Sequence, residues 1–247
     1  MATSLTYYGH SAFKLVTPSG RIIFIDPWIT NPLLENGKEI LAKIDRADLI
    51  CVTHGHFDHV GDAVEIAKRT RAKLVATFDL AAAMRTVLGY PSDLADSECV
   101  GHFGGDIPLL GGEATATFVP AWHGTAVMKY DKTPPVYGGT PSGIVLAIKD
   151  GPTLYHTGDT DIFTDMQLVA RYHKVDYMLV CMGGHFTMGP RRAADAIELV
   201  KPRFAIPIHF ASFPPLTGTP DQLEAEIKER GSTATLRTLK PNETIEL

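Results

Sequence analysis

The chain has 247 residues, 45% hydrophobic and 21% charged, with a formal charge of −5. That length suits one large α/β domain spanning residues 1–247, and the composition excludes wholesale disorder. The acidic balance supplies no basic face for gripping duplex nucleic acid through its phosphates.

In chain order, the first part reads as short strands, Leu5–Tyr8, Phe13–Val16 and Ile22–Ile25, punctuated by Gly9 and by Pro18-Ser19-Gly20. A turn-rich loop, Asp26–Lys38, follows and carries Trp28, Leu33 and Leu34. Leu49–Thr53 is a continuous apolar run of the buried-strand kind and leads straight into a histidine-rich loop. Ala63, Val64, Ile66 and Ala67 then carry helical spacing, Lys73–Thr77 reads as a strand and Ala81–Leu88 as a helix. Gly104-Gly105 and Gly111-Gly112 read as turns. Ala116–Val119, Gly143–Ile148 and Thr153–Tyr155 are expected strands, with a Pro- and Gly-rich loop, Met128–Ser142, holding Tyr130 and Tyr137. A helix near Asp165–Tyr172, a strand at Tyr177–Cys181, a helix at Pro190–Val200 and a strand at Phe204–Ile208 come next. Thr219-Pro220-Asp221-Gln222 offers a capping box, and Gly231 closes that helix. β-Meanders interspersed with helices predict two sheets face to face, with helices outside. Loops as long as the two named here often border sites.

Cys51, Cys99 and Cys181 are widely spaced and form no disulfide framework, which fits a reducing compartment. The N-terminal residues lack a basic stretch followed by an apolar one, and no apolar segment approaches 18 residues. A cytoplasmic protein without membrane contact is the expectation.

The chemistry is concentrated in His54-Gly55-His56-Phe57-Asp58-His59, three imidazoles and a carboxylate within six residues. No core needs such a cluster, and burying it unpaired would be costly, so it reads as a metal site. Four local ligands cannot complete two catalytic sites, which keep a position open for water. Further ligands are therefore expected at strand ends, where His123, Asp159 and His209 each follow an apolar run. Phosphate-loop, dinucleotide and nucleophile-elbow motifs are missing.

This order of motifs resembles the metallo-β-lactamase superfamily over essentially the whole chain. Tyr8-Gly9-His10-Ser11, Ile25-Asp26-Pro27, the run His54 to Ala63, His156-Thr157-Gly158-Asp159-Thr160 and Gly183-Gly184-His185-Phe186-Thr187-Met188-Gly189-Pro190 are similar to the UPF0173 metal-dependent hydrolases, relatives of the ascorbate-phosphate lactonase branch. That family often has a small residue where Phe57 sits. The resemblance implies a four-layer αβ/βα sandwich and two divalent metal ions, zinc first, with Mn, Ni or Fe as alternatives. It assigns His54, His56 and His123 to one ion and Asp58, His59 and His209 to the other, with Asp159 bridging and Asp26 supporting the ligand loop.

Asp58 would orient a metal-activated hydroxide while coordinating, and His185 would polarise the substrate or protonate the leaving group. The implied reaction is hydrolysis of a small-molecule ester, lactone, amide or phosphodiester. An iron-dependent redox enzyme is the first alternative; such members replace a histidine of the first motif with a carboxylate, whereas this chain retains His56. A nuclease or a non-catalytic metal-binding module is the other. His10 is read either as lining the site or as a satisfied structural histidine. His156 is expected beside Asp159, and His102 and His173 in solvent. Homo-oligomer formation is left open.

Overall fold

Side chains alternate across each short strand, and this sorts the apolar residues into separate layers. The computed structural model describes residues 2–129 and 134–247, so Tyr130 of the Met128–Ser142 loop lies outside the described residues. The strands are β1 (Ser4–Gly9), β2 (Ala12–Val16), β3 (Ile22–Ile25), β4 (Leu49–Cys51), β5 (Lys73–Val75), β6 (Asp106–Leu109), β7 (Ala114–Pro120), β8 (Ala126–Val127), β9 (Val136–Tyr137), β10 (Ser142–Ile148), β11 (Thr153–His156), β12 (Tyr177–Cys181), β13 (Phe204–Ile208), β14 (Thr235–Leu236) and β15 (Glu243–Glu246). The α-helices are α1 (Gly37–Ala42), α2 (Phe57–Val60), α3 (Ala63–Thr70), α4 (Phe78–Ala83), α5 (Gln167–Tyr172), α6 (Pro190–Val200) and α7 (Pro220–Glu229).

One six-stranded sheet runs β15-β1-β2-β3-β4-β5 and a seven-stranded sheet runs β14-β13-β12-β11-β10-β7-β6. Leu5, Tyr7, Phe13, Leu15, Ile23, Ile25, Leu49 and Cys51 pack with Ala116, Phe118, Ile144 and Leu146 of the other sheet. Their neighbours in sequence, Tyr8, Ala12, Phe24 and Ile50, face the other way and pack with Ile66 and Ala67 of α3 and Leu80 of α4. On the far side Ala193, Ala194 and Ile197 of α6 join the core beside β12. The result is the four-layer sandwich. Each large side chain so buried contributes roughly 1.5–3 kcal/mol.

The helix expected at 190–200 has those bounds, with Pro190 in its first turn. The predicted capping box of α7 is formed, Thr219 accepting from Gln222 N–H while the Gln222 side chain accepts from Thr219 N–H. The helix expected at 81–88 is instead α4 followed by a π-helical turn, Met84–Leu88, ended by Gly89 at φ 75°. β6, β8, β9, β14 and β15, and the short helices α1 and α2, are additions to the expected elements.

The parallel strands position the site. β3, β4 and β5 run parallel in one sheet, and β11 to β14 in the other. Asp26, His54, Asp159 and His209 all follow the C-terminal ends of such strands, the edge where α/β folds gather their ligands. Among the described residues no helix is long and apolar enough to cross a membrane.

Candidate metal centre

The histidine-rich loop is extended through His56 and becomes helical at Phe57–Val60, where the N–H groups of His59 and Val60 both donate to the His56 carbonyl. Gly55 is required at the bend. A Cβ there would lie 2.5 Å from Val127 Cγ2, and its N–H donates to Thr125 Oγ1 at 3.0 Å. Thr53 O accepts from both Ser142 N–H and Ser142 Oγ–H, so the C-terminal end of the Met128–Ser142 segment abuts the residue before this loop.

His123 follows β7 and is placed by Trp122, whose N–H donates to Thr160 Oγ1 and whose carbonyl accepts from Asp161 N–H. Asp159 is set by His156. The buried His156 ring donates from Nε2 to Ser11 O and accepts Gly158 N–H at Nδ1, both at 3.0 Å. His209 leaves β13 with its N–H on His10 O. Gly183 passes so close that a Cβ would sit 2.0 Å from His209 O, which explains glycine at that position.

The structure brings every predicted ligand together, in two groups. In one, His54 Nε2 lies 3.1 Å from His56 Nδ1, which lies 3.2 Å from His123 Nε2. In the other, His209 Nε2 is 3.6 Å and His59 Nε2 4.0 Å from Asp58 Oδ2. Asp159 reaches both: His54 at 3.9 Å, His123 at 3.5 Å, His59 at 3.2 Å and His209 at 2.9 Å. The donor atoms of each group fall within 4.8 Å of one another.

Asp26 orients two of these imidazoles at once. Its Oδ2 accepts His59 Nδ1–H at 2.7 Å and the Thr53 hydroxyl at 2.6 Å, while Oδ1 accepts Thr53 N–H. The hydroxyl proton is thus committed to Asp26, so His54 Nδ1–H donates to Thr53 Oγ1 at 3.1 Å. In both rings the Nδ1 hydrogen bond leaves Nε2 as the nitrogen that faces the cluster, the atom a metal would take.

His10 is the addition. It is fully buried, belongs to the second group, and its Nε2–H donates to Asp58 Oδ2 at 3.0 Å while Nδ1 accepts from Ser212 Oγ. Burial first, then the nearby His209 charge, pushes its pKa down to about 4, so the neutral ring fits this hydrogen-bond chain. The two readings left open for His10 therefore resolve to a buried neighbour of Asp58. Its sequence signals were the glycine before it at the β1–β2 turn and its place in the Tyr8-Gly9-His10-Ser11 motif. Substituting His10→Asn should keep the fold and weaken uptake of one ion by about 10–100-fold, checked by equilibrium dialysis.

Charge and strain concentrate here. Burial alone would raise Asp159, yet His209 and His59 hold it well below the carboxylate range. Burial alone would lower His59, yet Asp159, Asp26 and Asp58 hold it well above the imidazole range. His10, Asp26 and His209 all have left-handed backbone, at φ 54°, 44° and 56°. Such residues cost about 1–3 kcal/mol each and gather at functional sites.

A pocket of about 470 Å³ opens over the two groups, lined by His56, Asp58, His123, Asp159 and His209, with Phe57, Phe186, Phe213, Pro214 and Pro215 around them. His185 is not part of that lining. It is exposed, at φ 60°, with its ring edge-on to Phe186 at 4.4 Å, and Phe186 is the residue of this turn that reaches the pocket. The Phe213-Pro214-Pro215 wall was missed, although an apolar run just after a predicted ligand was a usable signal. His102 is exposed as expected, whereas His173 is half-buried.

Paired sheets bring histidines and aspartates from both into two clusters able to hold metal, and a β-lactamase superfamily domain matches residues 21–210. The chain belongs to the UPF0173 metal-dependent hydrolases of that superfamily. A UPF0173 metal-dependent hydrolase of Thermodesulfovibrio yellowstonii is 49% identical over 247 residues, covering 100% of this chain and 92% of that protein. Another, from Myxococcus xanthus, is 41% identical, covering 99% of this chain and 84% of that protein. The solved structure of a metallo hydrolase from the archaeon Ignicoccus hospitalis superposes with a TM-score of 0.84 at 33% identity, covering 100% of this chain and 99% of the other.

Proposed function

We propose that this protein, acting as one catalytic domain, hydrolyses a small ester, lactone or phosphodiester at a binuclear metal site. The observation that carries this reading is Asp159, whose carboxylate lies within 4 Å of imidazole nitrogens from both groups. The donor set fits two ions: His59 Nε2 and Asp159 Oδ1 are buried side by side, and among the described residues neither has a hydrogen-bond partner. His54, His56 and His123 would hold one, Asp58, His59 and His209 the other, and Asp159 both. Divalent ions there, zinc first and Mn, Ni or Fe as the other choices, would polarise a substrate oxygen and lower the pKa of water. Asp58, steadied by His10, would orient the water through its free oxygen. Retention of His56 favours hydrolysis over iron-dependent redox chemistry.

The test is metal analysis of zinc-loaded protein with a chromogenic screen of esters, lactones and phosphodiesters. Two ions per chain and zinc-dependent turnover are expected; a single ion, or turnover unchanged after chelation, would defeat the reading.

Proton release provides a second check. Burial would lower His209, but Asp159 and Asp58 raise it to about 9, and His59 also stands well above its ordinary value. Both rings therefore hold protons at pH 7 without metal, and ligation must expel them. Metal uptake at pH 7 should release protons, and affinity should fall as pH drops from about 9. Calorimetry in buffers of different ionisation enthalpy reads this directly, and uptake without proton release contradicts it.

His185 adjoins the lining residue Phe186 but faces solvent, and it would serve as proton donor through a turn of its ring toward the pocket. His185→Ala should keep both ions and slow substrates with poor leaving groups by roughly 10²–10⁴-fold. Equal rates for wild type and variant would remove it from the mechanism.

A further inference from the structure

We infer that the substrate carries an uncharged apolar group, aryl or branched alkyl, beside the scissile bond, rather than a phosphate or sugar moiety; this rests on the hydrolytic reading above. The pocket divides by chemistry. Among the described residues, its polar lining is that of the metal centre and every other lining residue is phenylalanine or proline. The part of a substrate that does not touch the metals must therefore meet Phe57, Phe186, Phe213, Pro214 or Pro215.

This wall is built, not incidental. Trp28, from the Asp26–Lys38 loop, stacks on Phe213 at 5.7 Å and meets Phe57 edge-on at 5.5 Å, and Phe57 lies 6.1 Å from Phe213. His10 packs edge-on against both Trp28 and Phe213, at 5.3 and 5.7 Å. The ring that holds Asp58 thus also backs the apolar wall, so wall and metal centre form one packed unit. Even so, Phe57 remains 40% and Phe186 53% exposed. Large aromatic surface left open beside a buried polar centre is surface available to a ligand. Phe57 stands between His56 and Asp58 in sequence, which ties this wall directly to the ligand loop.

A phosphate or carboxylate remote from the metals would need cationic or N–H partners, and sugar hydroxyls would need hydrogen bonds. Among the described residues no lysine or arginine lines this pocket. Arg192 is committed to Asp161, with Nη1 at 2.8 and 2.7 Å from its two carboxylate oxygens. An apolar group, by contrast, gains by displacing water from the phenylalanine faces.

The test uses the zinc-loaded full chain and three hydroxamates that share one metal-binding head: acetohydroxamate, phenylacetohydroxamate and phosphonoacetohydroxamate. Calorimetry should show the phenyl compound binding about 10- to 100-fold tighter than the methyl one, the gain expected for burying one ring. The phosphono compound should bind no tighter than the methyl one. Phe57→Ala should lose most of the phenyl preference, read as the ratio of phenylacetohydroxamate to acetohydroxamate affinity in protein that metal analysis shows to hold two ions. Phe186→Ala, on an exposed turn, gives the same comparison if the first variant fails to fold. Equal binding of all three, tightest binding of the phosphono compound, or no binding of any to protein holding two ions would overturn the inference and leave the metal assignment standing. Failure to take up zinc would overturn the hydrolytic reading, and this inference with it.

Discussion

Asp159→Ala is expected to reduce bound zinc from two ions per chain to less than one and to slow hydrolysis by on the order of 10⁴-fold or more, the scale seen when one member of an interdependent catalytic unit is removed. The reason is geometric. The first group retains three other candidate donors and the second four, His10 included, but among the described residues only Asp159 approaches both, within 4 Å of His54, His123, His59 and His209. Its removal also leaves His59 and His209 without the carboxylate that, against burial, holds their protons on, so both should titrate at lower pH. His54→Ala should behave differently, weakening the first group while the second keeps its ion. Metal content by mass spectrometry, with circular dichroism to show that both variants are folded, separates the two. An Asp159→Ala protein still holding two ions would show that the groups are independent sites.

Asp26→Ala is expected to have the largest effect on stability although Asp26 belongs to neither ligand group. It accepts Thr53 N–H, the Thr53 hydroxyl and His59 Nδ1–H, and Asp26, Thr53 and His59 are all fully buried. Alanine strands all three donors where water cannot reach them and forces left-handed backbone on a residue that tolerates it poorly. Breaking one side of such a buried charged network costs about 3–5 kcal/mol. At about 2–4 °C per kcal/mol for a chain of this size, Tm should fall by roughly 6–20 °C. With His59 and His54 no longer held in the ligating tautomer, zinc affinity should also drop by about 10–100-fold. Thermal denaturation in chelator isolates the first effect, and zinc titration of the refolded variant the second. An unchanged Tm in chelator would mean that the three donors find other partners.

What the sequence determined by itself is local. Continuous apolar runs marked β4, β12 and β13, because a strand buried on both faces shows no polar alternation. Proline at a first turn and a Thr-to-Gln capping box marked α6 and α7, because those signals satisfy or excuse free N–H groups within a few residues. The ligand run His54–His59 was legible because its density of imidazoles has no core use. β6 escaped notice because it is four residues long, contains Pro108 and lies at a sheet edge between glycine turns, where pairing rather than propensity makes the strand. β15 is held in the same way, against β1.

Tertiary structure alone decided which residues meet. His10 and Asp58 are 48 positions apart and His10 and Ser212 are 202 apart, so no spacing rule could couple them. The same holds for the wall of Trp28, Phe57 and Phe213, drawn from two loops and the first residue of α2. Glycines announced a turn at 183–184, but whether His185 or Phe186 reached the pocket depended on backbone dihedrals. The sequence carries ligand identity because coordination chemistry limits which side chains can bind metal. Pocket shape depends on how two sheets and their loops dock, a global packing result that short-range patterns do not contain.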